Sequence, residues 1–362
     1  MCTSGLALIE ARAIPLICDG GICYAARGPA PPSSGTHQSP AAKIHRDSLQ
    51  VRDNVNAMTM HEEWLSTSAG HPGRPGDAAS TPHAEGYKVG LEATDASLSH
   101  RFEDDRRKIA ASFQLSRLHG VKQALALSSG PVRSRGDHSE AVSSIAGNLA
   151  GFLGLNVELA MAAGLGHDCG HAPGAHAGEE ALGEIVPGGW SHASYGAVAL
   201  APLRLHALVK EGITQHSWCL PSPTTPESQV VALADRIEYA TADLWDAEKV
   251  GIDWHLSDNA LELLGEDRSE WRPALIADAI ETSQRVGYVA LSERAMSVLC
   301  EMRETCSNSV YRNPDVLADS RRMKGAVTSL MSTAMARGTM RALTYVCSLT
   351  DSEAQTAALE LA

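Results

Sequence analysis

The chain has 362 residues, 44% hydrophobic and only 4% aromatic, with a formal net charge of −13. That length allows one large domain or two modest ones, and a core of alanine, leucine and valine favours packed helices over a β-sandwich. The charge excludes a protein that binds nucleic acid through bulk positive potential, eight cysteines without a CxxC pair fit a reducing cytoplasm, and no apolar run is long enough for a membrane span.

In chain order, residues 1–60 differ from the rest. The stretch Ala25–Ala42 is rich in Pro, Ser and Gly without periodicity, so 1–60 is expected to be a disordered extension lacking a signal peptide. Residues 61–97 stay rich in Gly, Pro, Ser and His and are expected to form an irregular arm. Helical texture begins near Leu98. In Arg101–Leu127 the apolar residues Ile109, Phe113 and Leu118 fall at helical spacing, while Arg117, Lys122 and Gln123 are expected on a solvated face.

The next segment, SSGPVRSRGDHSEAV, carries a loop at Gly130-Pro131 and Gly136, with Asp137 or Ser139 as cap of the following helix. Val142, Ile145, Leu149 and Phe152 form one apolar stripe. His138 sits in the first turn with Arg133 and Arg135 ahead of it, a natural setting for phosphate at a helix N-terminus.

Gly164–Leu182 reads GLGHDCGHAPGAHAGEEAL and concentrates the chemistry: His167, Asp168, His171, His176, Glu179 and Glu180. An apolar helical run, Val157–Leu165, leads in, and glycines and Pro173 then break regular structure. Imidazole with carboxylate suits divalent transition metals, and a helix ending at His167-Asp168 lets both side chains turn toward one ion. His192 follows in a loop. His206 and His216 are read as structural.

In Glu227–Val250 a core face (Val230, Ala234, Ile237, Thr241, Leu244) runs beside a second stripe of Asp235, Tyr239, Asp243 and Asp246. Three acids on one stripe repel, and a metal, a sugar hydroxyl or an arginine would relieve them. From Gly251 to Ala362 the texture stays helical with a break at Tyr311–Asp315, and no chemistry is expected there.

Collected, His138, His167-Asp168 and Asp235 make an H…HD…D set. With RFEDDRRKIAASF, SRLHGVKQ, VRSRGDHS, the loop above, the WSH of Trp190–His192, ESQVVALADRIEYATADLWDA and YRNPDV, the chain from Leu98 to Val316 resembles the HD-domain metal phosphohydrolases of the deoxynucleoside triphosphate triphosphohydrolase (dGTPase-like) branch. Leu65–Arg74 faintly resembles the family's lead-in.

The resemblance implies an all-α HD-domain fold with a buried metal pocket over 98–350. It implies hydrolysis of a deoxynucleoside triphosphate to nucleoside and inorganic triphosphate. It assigns His138, His167, Asp168 and Asp235 to a divalent metal, among Mn, Fe, Co, Ni, Zn or Mg with Mn favoured. His176 and Glu179 match the catalytic pair, His171 an α-phosphate contact and His192 another pocket histidine. Arg135 and Arg236 fall where relatives hold phosphates, and Gln123, Tyr239 and Asp243 where they hold the sugar. Arg117 and Lys122 join the substrate-binding candidates. A nucleotide partner, a cytoplasmic location and a homo-oligomer follow from the same resemblance.

Departures are Ala175 for the glycine before the catalytic His, Val121-Lys122 for Lys-Thr, Ala193 for Asn, Tyr195 for Gln, and Glu140-Ala141 after the first ligand. They leave base identity open, together with a nucleotide phosphatase or phosphodiesterase in a specialised nucleoside pathway and a non-catalytic nucleotide sensor. A dimetal oxygenase-type site would need more histidine ligands, and His171 and His192 are the only evident spares.

Overall fold

The computed structural model describes residues 89–217 and 223–361, together with the backbone of two short strands. Contacts divide the chain into Met1–Asp47 and Ser48–Ala362. In the first unit β1 (Ile17–Cys18) pairs antiparallel with β2 (Gly21–Ile22), Ile17 opposite Ile22. The expected disorder of 1–60 and the arm up to residue 88 otherwise lie outside the described residues.

The second unit is all helical among its described residues, apart from isolated bridges. Helix α1 (Ser99–Ala110) ends at Ala111, and Ser112 starts α2 (Phe113–Leu118) by accepting from the Leu115 amide. The helix expected through this stretch is therefore broken. Ile109 and Leu118 are buried, but the new start turns Phe113 outward, 53% exposed.

Helix α3 (Arg135–Phe152) is capped by Ser134 rather than by Asp137 or Ser139. Ser134 accepts from the Asp137 amide and Asp137 returns the bond to the Ser134 amide, a reciprocal capping box. Val142, Ile145 and Leu149 face the core as expected, whereas Phe152, in the last turn, is 66% exposed.

Helix α4 (Val157–Gly166) lies at the centre. Ala160 and Ala163 pack into one hydrophobic cluster, and Leu159, Ala162 and Leu165 into another. A helix apolar all round must be buried all round. Its C-terminal cap is His167, so the fold delivers the His-Asp pair into the interior.

The chain then turns through Gly170, where a Cβ would lie 2.0 Å from the His192 carbonyl oxygen. Only glycine allows that approach. Helices α5 (His176–Ile185), α6 (His192–Ala199) and α7 (Ala207–Gln215) follow, and then the long α8 (Pro226–Lys249), capped by Thr225 with Pro226 at its first position. Helices α9 (Asp258–Leu264), α10 (Arg268–Val286) and α11 (Glu293–Thr305) complete the cluster around α3 and α8. Beyond a π-turn at Cys306–Val310, α12 (Pro314–Ala334), α13 (Thr339–Val346) and α14 (Asp351–Leu359) build a third cluster against α5. No helix among the described residues is long and apolar enough to cross a membrane.

Candidate metal centre

His138 reaches inward from α3, His167 and Asp168 from the end of α4, and Asp235 from α8. His138 Nε2 lies 3.2 Å from His167 Nε2 and 3.1 Å from Asp235 Oδ1. Asp168 Oδ2 is 3.5 Å from His167 Nε2 and 3.6 Å from His138 Nε2. The outer nitrogen of each ring is already committed. His167 Nδ1 donates to the Gly164 carbonyl at 2.7 Å, and His138 Nδ1 bonds the buried carboxylate of Glu238. Anchoring Nδ1–H in this way turns the Nε2 lone pairs inward. Two such lone pairs with two carboxylates beside them demand a positive charge.

A proton is one answer. Burial penalises it on His138, but Glu238 and Asp235 override the penalty and push the imidazole up to about 10. Burial likewise opposes charge on Asp168 and Asp235, yet Arg135 for the first and His138 for the second hold them well below the usual carboxylate range. A divalent transition ion would satisfy all four donors at once, whereas a proton serves one. The donor set therefore fits a metal.

The surroundings add charge and more imidazoles. Arg135 NH1 donates to Asp168 Oδ2 at 2.5 Å, both groups buried. His171 Nε2 lies 3.3 Å from the other oxygen of Asp168, without a well-directed hydrogen bond, and its ring stacks on His192 with centroids 3.7 Å apart. Burial, with Arg135 and His192 beside it, keeps His171 neutral by holding its pKa well below the ordinary range. Glu179 binds His192 more tightly than His176: His192 Nδ1 is 2.9 Å from it and His176 Nδ1 3.5 Å. His176 is solvent-facing, 72% exposed at its side chain, and lies over the His171 ring.

Residues 135–240 match the HD domain family. A deoxyguanosinetriphosphate triphosphohydrolase-like protein of Caldanaerobacter subterraneus subsp. tengcongensis is 30% identical over 239 residues, covering 63% of this chain and 70% of that one. Proteins of the same description from Clostridium tetani and Clostridium perfringens are 31% identical; each alignment covers 58% of this chain and, respectively, 66% and 67% of the relative. This chain belongs to the deoxyguanosinetriphosphate triphosphohydrolase-like family. It is a hydrolase of the metal-dependent HD phosphohydrolases, and it spans about two-thirds of the length of those relatives. A solved structure, a hypothetical protein from Aquifex aeolicus, matches with a TM-score of 0.48 at 20% identity, over 70% of this chain and 67% of that one, too distant to carry an argument.

In this family member the expected solvated face of Arg117, Lys122 and Gln123 is buried instead. Arg117 donates to the His171 carbonyl at 2.5 Å and to the Leu349 carbonyl at 3.0 Å. Lys122 pairs with Asp319 at 2.6 Å, so its ammonium serves the contact with α12. Gln123 keeps a buried Oε1 without a hydrogen-bond partner. Asp243, expected beside the sugar, accepts from Arg133 NH2 and from the Tyr311 hydroxyl, both at 2.6 Å. Arg133 also binds Glu238 and Asp246, and so relieves the lower part of the acidic stripe. Tyr239 and Arg236 lie half-buried beside Asp235, whose charge works to raise both pKa values; burial acts first on each, lifting the Tyr239 phenol and lowering Arg236.

Sequence reasoning missed Glu238, which binds His138, although its place three residues after Asp235 on one helix face was a usable signal. It missed Asp351, whose side chain accepts from the Gly174 amide at 2.6 Å and the Lys122 amide at 3.0 Å and so pins the glycine loop from the C-terminal region. The helical body accordingly continues past residue 350.

Proposed function

We propose that this hydrolase acts on a deoxynucleoside triphosphate at the α-phosphate, giving a nucleoside and inorganic triphosphate. The observation that carries the reading is the inward-facing His138–His167 pair, bracketed by Asp168 and Asp235 inside an HD domain. The description shared by the relatives supports the substrate class.

His138, His167, Asp168 and Asp235 would hold the ion. Imidazole donors favour Mn, Fe, Co, Ni or Zn over Mg, with Mn first. When bound, such an ion lowers the pKa of a water and neutralises phosphoryl charge. Arg135 keeps Asp168 ionised, and Arg236 beside Asp235 adds positive charge for the phosphate tail. Neutral His171 offers an N–H to an α-phosphate oxygen. Gln123 Oε1 is free to accept from a sugar hydroxyl. A water oxygen joins the α-phosphorus, the bond from phosphorus to the sugar 5′-oxygen breaks, and that oxygen leaves with a proton. His176, exposed above the pocket, delivers it and is recharged from solvent. A cytoplasmic location and a homo-oligomeric state belong to the same proposal.

The test is incubation with each dNTP and NTP in Mn²⁺ or Mg²⁺, resolving nucleoside from nucleotide. Intact triphosphate with nucleoside is expected. Release of monophosphate or orthophosphate would replace the reading with a phosphatase or phosphodiesterase.

A further inference from the structure

The loop that leads into His176 is held from the far end of the chain. It turns at Gly174 (φ 74°) and Ala175 (φ 55°), two consecutive residues in the left-handed half of backbone space. A non-glycine residue stays there when its surroundings over-determine it. Inside the turn the Ala175 amide donates to the Ala172 carbonyl and the Ala177 amide to the Gly174 carbonyl, each at 3.1 Å. Two bonds reach the loop from outside. Arg117 donates to the His171 carbonyl at its start, 2.5 Å, and Asp351 Oδ1 accepts from the Gly174 amide at its end, 2.6 Å.

Asp351 is the first residue of α14, yet its carboxylate does not serve that helix. The capping box there is made by Thr350 and Glu353. Asp351 Oδ2 instead accepts from the Lys122 amide at 3.0 Å, and the Asp351 amide donates to the Gly120 carbonyl at 2.9 Å. That second segment is fixed without Asp351. The Lys122 ammonium is paired with Asp319, and the Arg135 amide donates to the Val121 carbonyl at 2.9 Å. Gly120 is packed so closely that a Cβ would lie 2.5 Å from Thr350 Cγ2. One carboxylate therefore ties a rigid wall, which runs on into α3 and His138, to the turn immediately before His176.

We propose that Asp351 is a positioning residue for the proton delivery assigned to His176: by fixing the Gly174 amide against the backbone of Gly120–Lys122, it holds the strained turn that aims the imidazole over the pocket. The proposal rests on the role given to His176 above. It also narrows the expectation that residues 251–362 carry no chemistry, because the start of α14 becomes part of the active site.

The experiment uses the full chain loaded with Mn²⁺ and the dNTP that the product screen selects. Asp351→Ala should lower kcat by about 10–100-fold, since a displacement of about 1 Å can cost about 10²-fold. KM and metal content should stay at wild-type values. Asp351→Asn, which keeps one acceptor oxygen, should show a smaller loss of the same kind and decides the matter if the alanine variant fails to fold. The double variant with His176→Ala should be no slower than His176→Ala alone, because both act through one proton transfer. Glu353→Ala breaks the capping box without touching the loop, and should lower the thermal midpoint while keeping kcat. Hydrogen exchange over residues 171–176, which needs no turnover, should quicken in Asp351→Asn. Unchanged exchange, additive losses in the double variant, or an equal kcat loss in Glu353→Ala would each overturn the proposal. So would a loss carried by KM or by metal content. A rate kept by Asp351→Ala but lost by His176→Ala overturns the positioning role alone; a rate kept by His176→Ala removes the proton donor itself, and the positioning role with it.

Discussion

At its Asp235 end the acidic stripe of α8 faces imidazoles and a second carboxylate; at its Asp246 end it faces a guanidinium. Arg133 is built into the chain and binds Glu238, Asp243 and Asp246 permanently. Asp235 faces the rings of His138 and His167, 3.1 and 3.7 Å away. Similar like-charge repulsion along one helix is thus closed by a fixed cation at one end and left for an exchangeable one at the other. Glu238 joins them, taking Arg133 on one oxygen and His138 on the other.

The largest expected effect breaks the open end. Asp235→Ala should weaken metal binding by well over the roughly 10–100-fold typical of losing an outer partner, and turnover should vanish with it. Glu238→Gln should fall within that range of about 10–100-fold, because it weakens the anchor of His138 and the pairing with Arg133 but takes away none of the four inward-facing donors. Titration of each variant with Mn²⁺ measures both. Equal losses would mean that Asp235 is no closer to the ion than Glu238 is.

His176→Ala addresses the solvent side of the same end. Metal content should stay at the wild-type level while the rate drops by about 10²–10⁴-fold, the usual cost of a missing proton donor. Because Glu179 holds His192 more closely than His176, Glu179→Ala should do more than slacken the His176 ring. Rates of the double variant separate the two: fully additive losses are expected if Glu179 works through His192. Matching, non-additive losses would return Glu179 to His176.

Arg133→Ala breaks the closed end. Three carboxylates lose the one partner they share in a largely buried setting, and removing one member of such a network costs about 3–5 kcal/mol. Thermal unfolding of the metal-free protein should show a large downward shift, well beyond that of Asp235→Ala. A shift no larger would mean that the two ends carry equal structural weight.

The contrast also marks what sequence could supply. His167-Asp168 at the end of an apolar helix, and the four-residue steps from Asp235 to Asp243, are local patterns, and local patterns were legible. So was the all-helical fold. Which cation meets which acid was not, because Arg133 lies more than a hundred residues before its partners. Arg117 and Lys122 read as solvated because an isolated helix shows no sign of the chain that later covers it; Leu349 and Asp319 provide that cover. Phe113 and Phe152 read as core because periodicity ignores a helix restart at Ser112 and a final turn that outruns its neighbour. His216 read as structural, and it is buried with its Nε2 3.1 Å from that of His192, a neighbour 24 residues away that no local pattern shows.

The smallest effect concerns the turn that delivers His176. Ala175 sits at φ 55° and ψ −121°, a region suited to glycine. A non-glycine residue held in such a region costs about 1–3 kcal/mol. Against that, glycine would add unfolded-state entropy worth about 0.4–1 kcal/mol and would remove a buried methyl worth about 0.8 kcal/mol. The balance for Ala175→Gly therefore runs from about 1 kcal/mol destabilising to about 2 kcal/mol stabilising, centred on a small gain, which denaturant titration with an unchanged slope would resolve. The methyl is 2% exposed and packs in the cluster with Leu118 and Leu165. A loss of more than about 1 kcal/mol would mean that this packing outweighs the backbone strain, and that alanine was accommodated here by the core rather than tolerated against it.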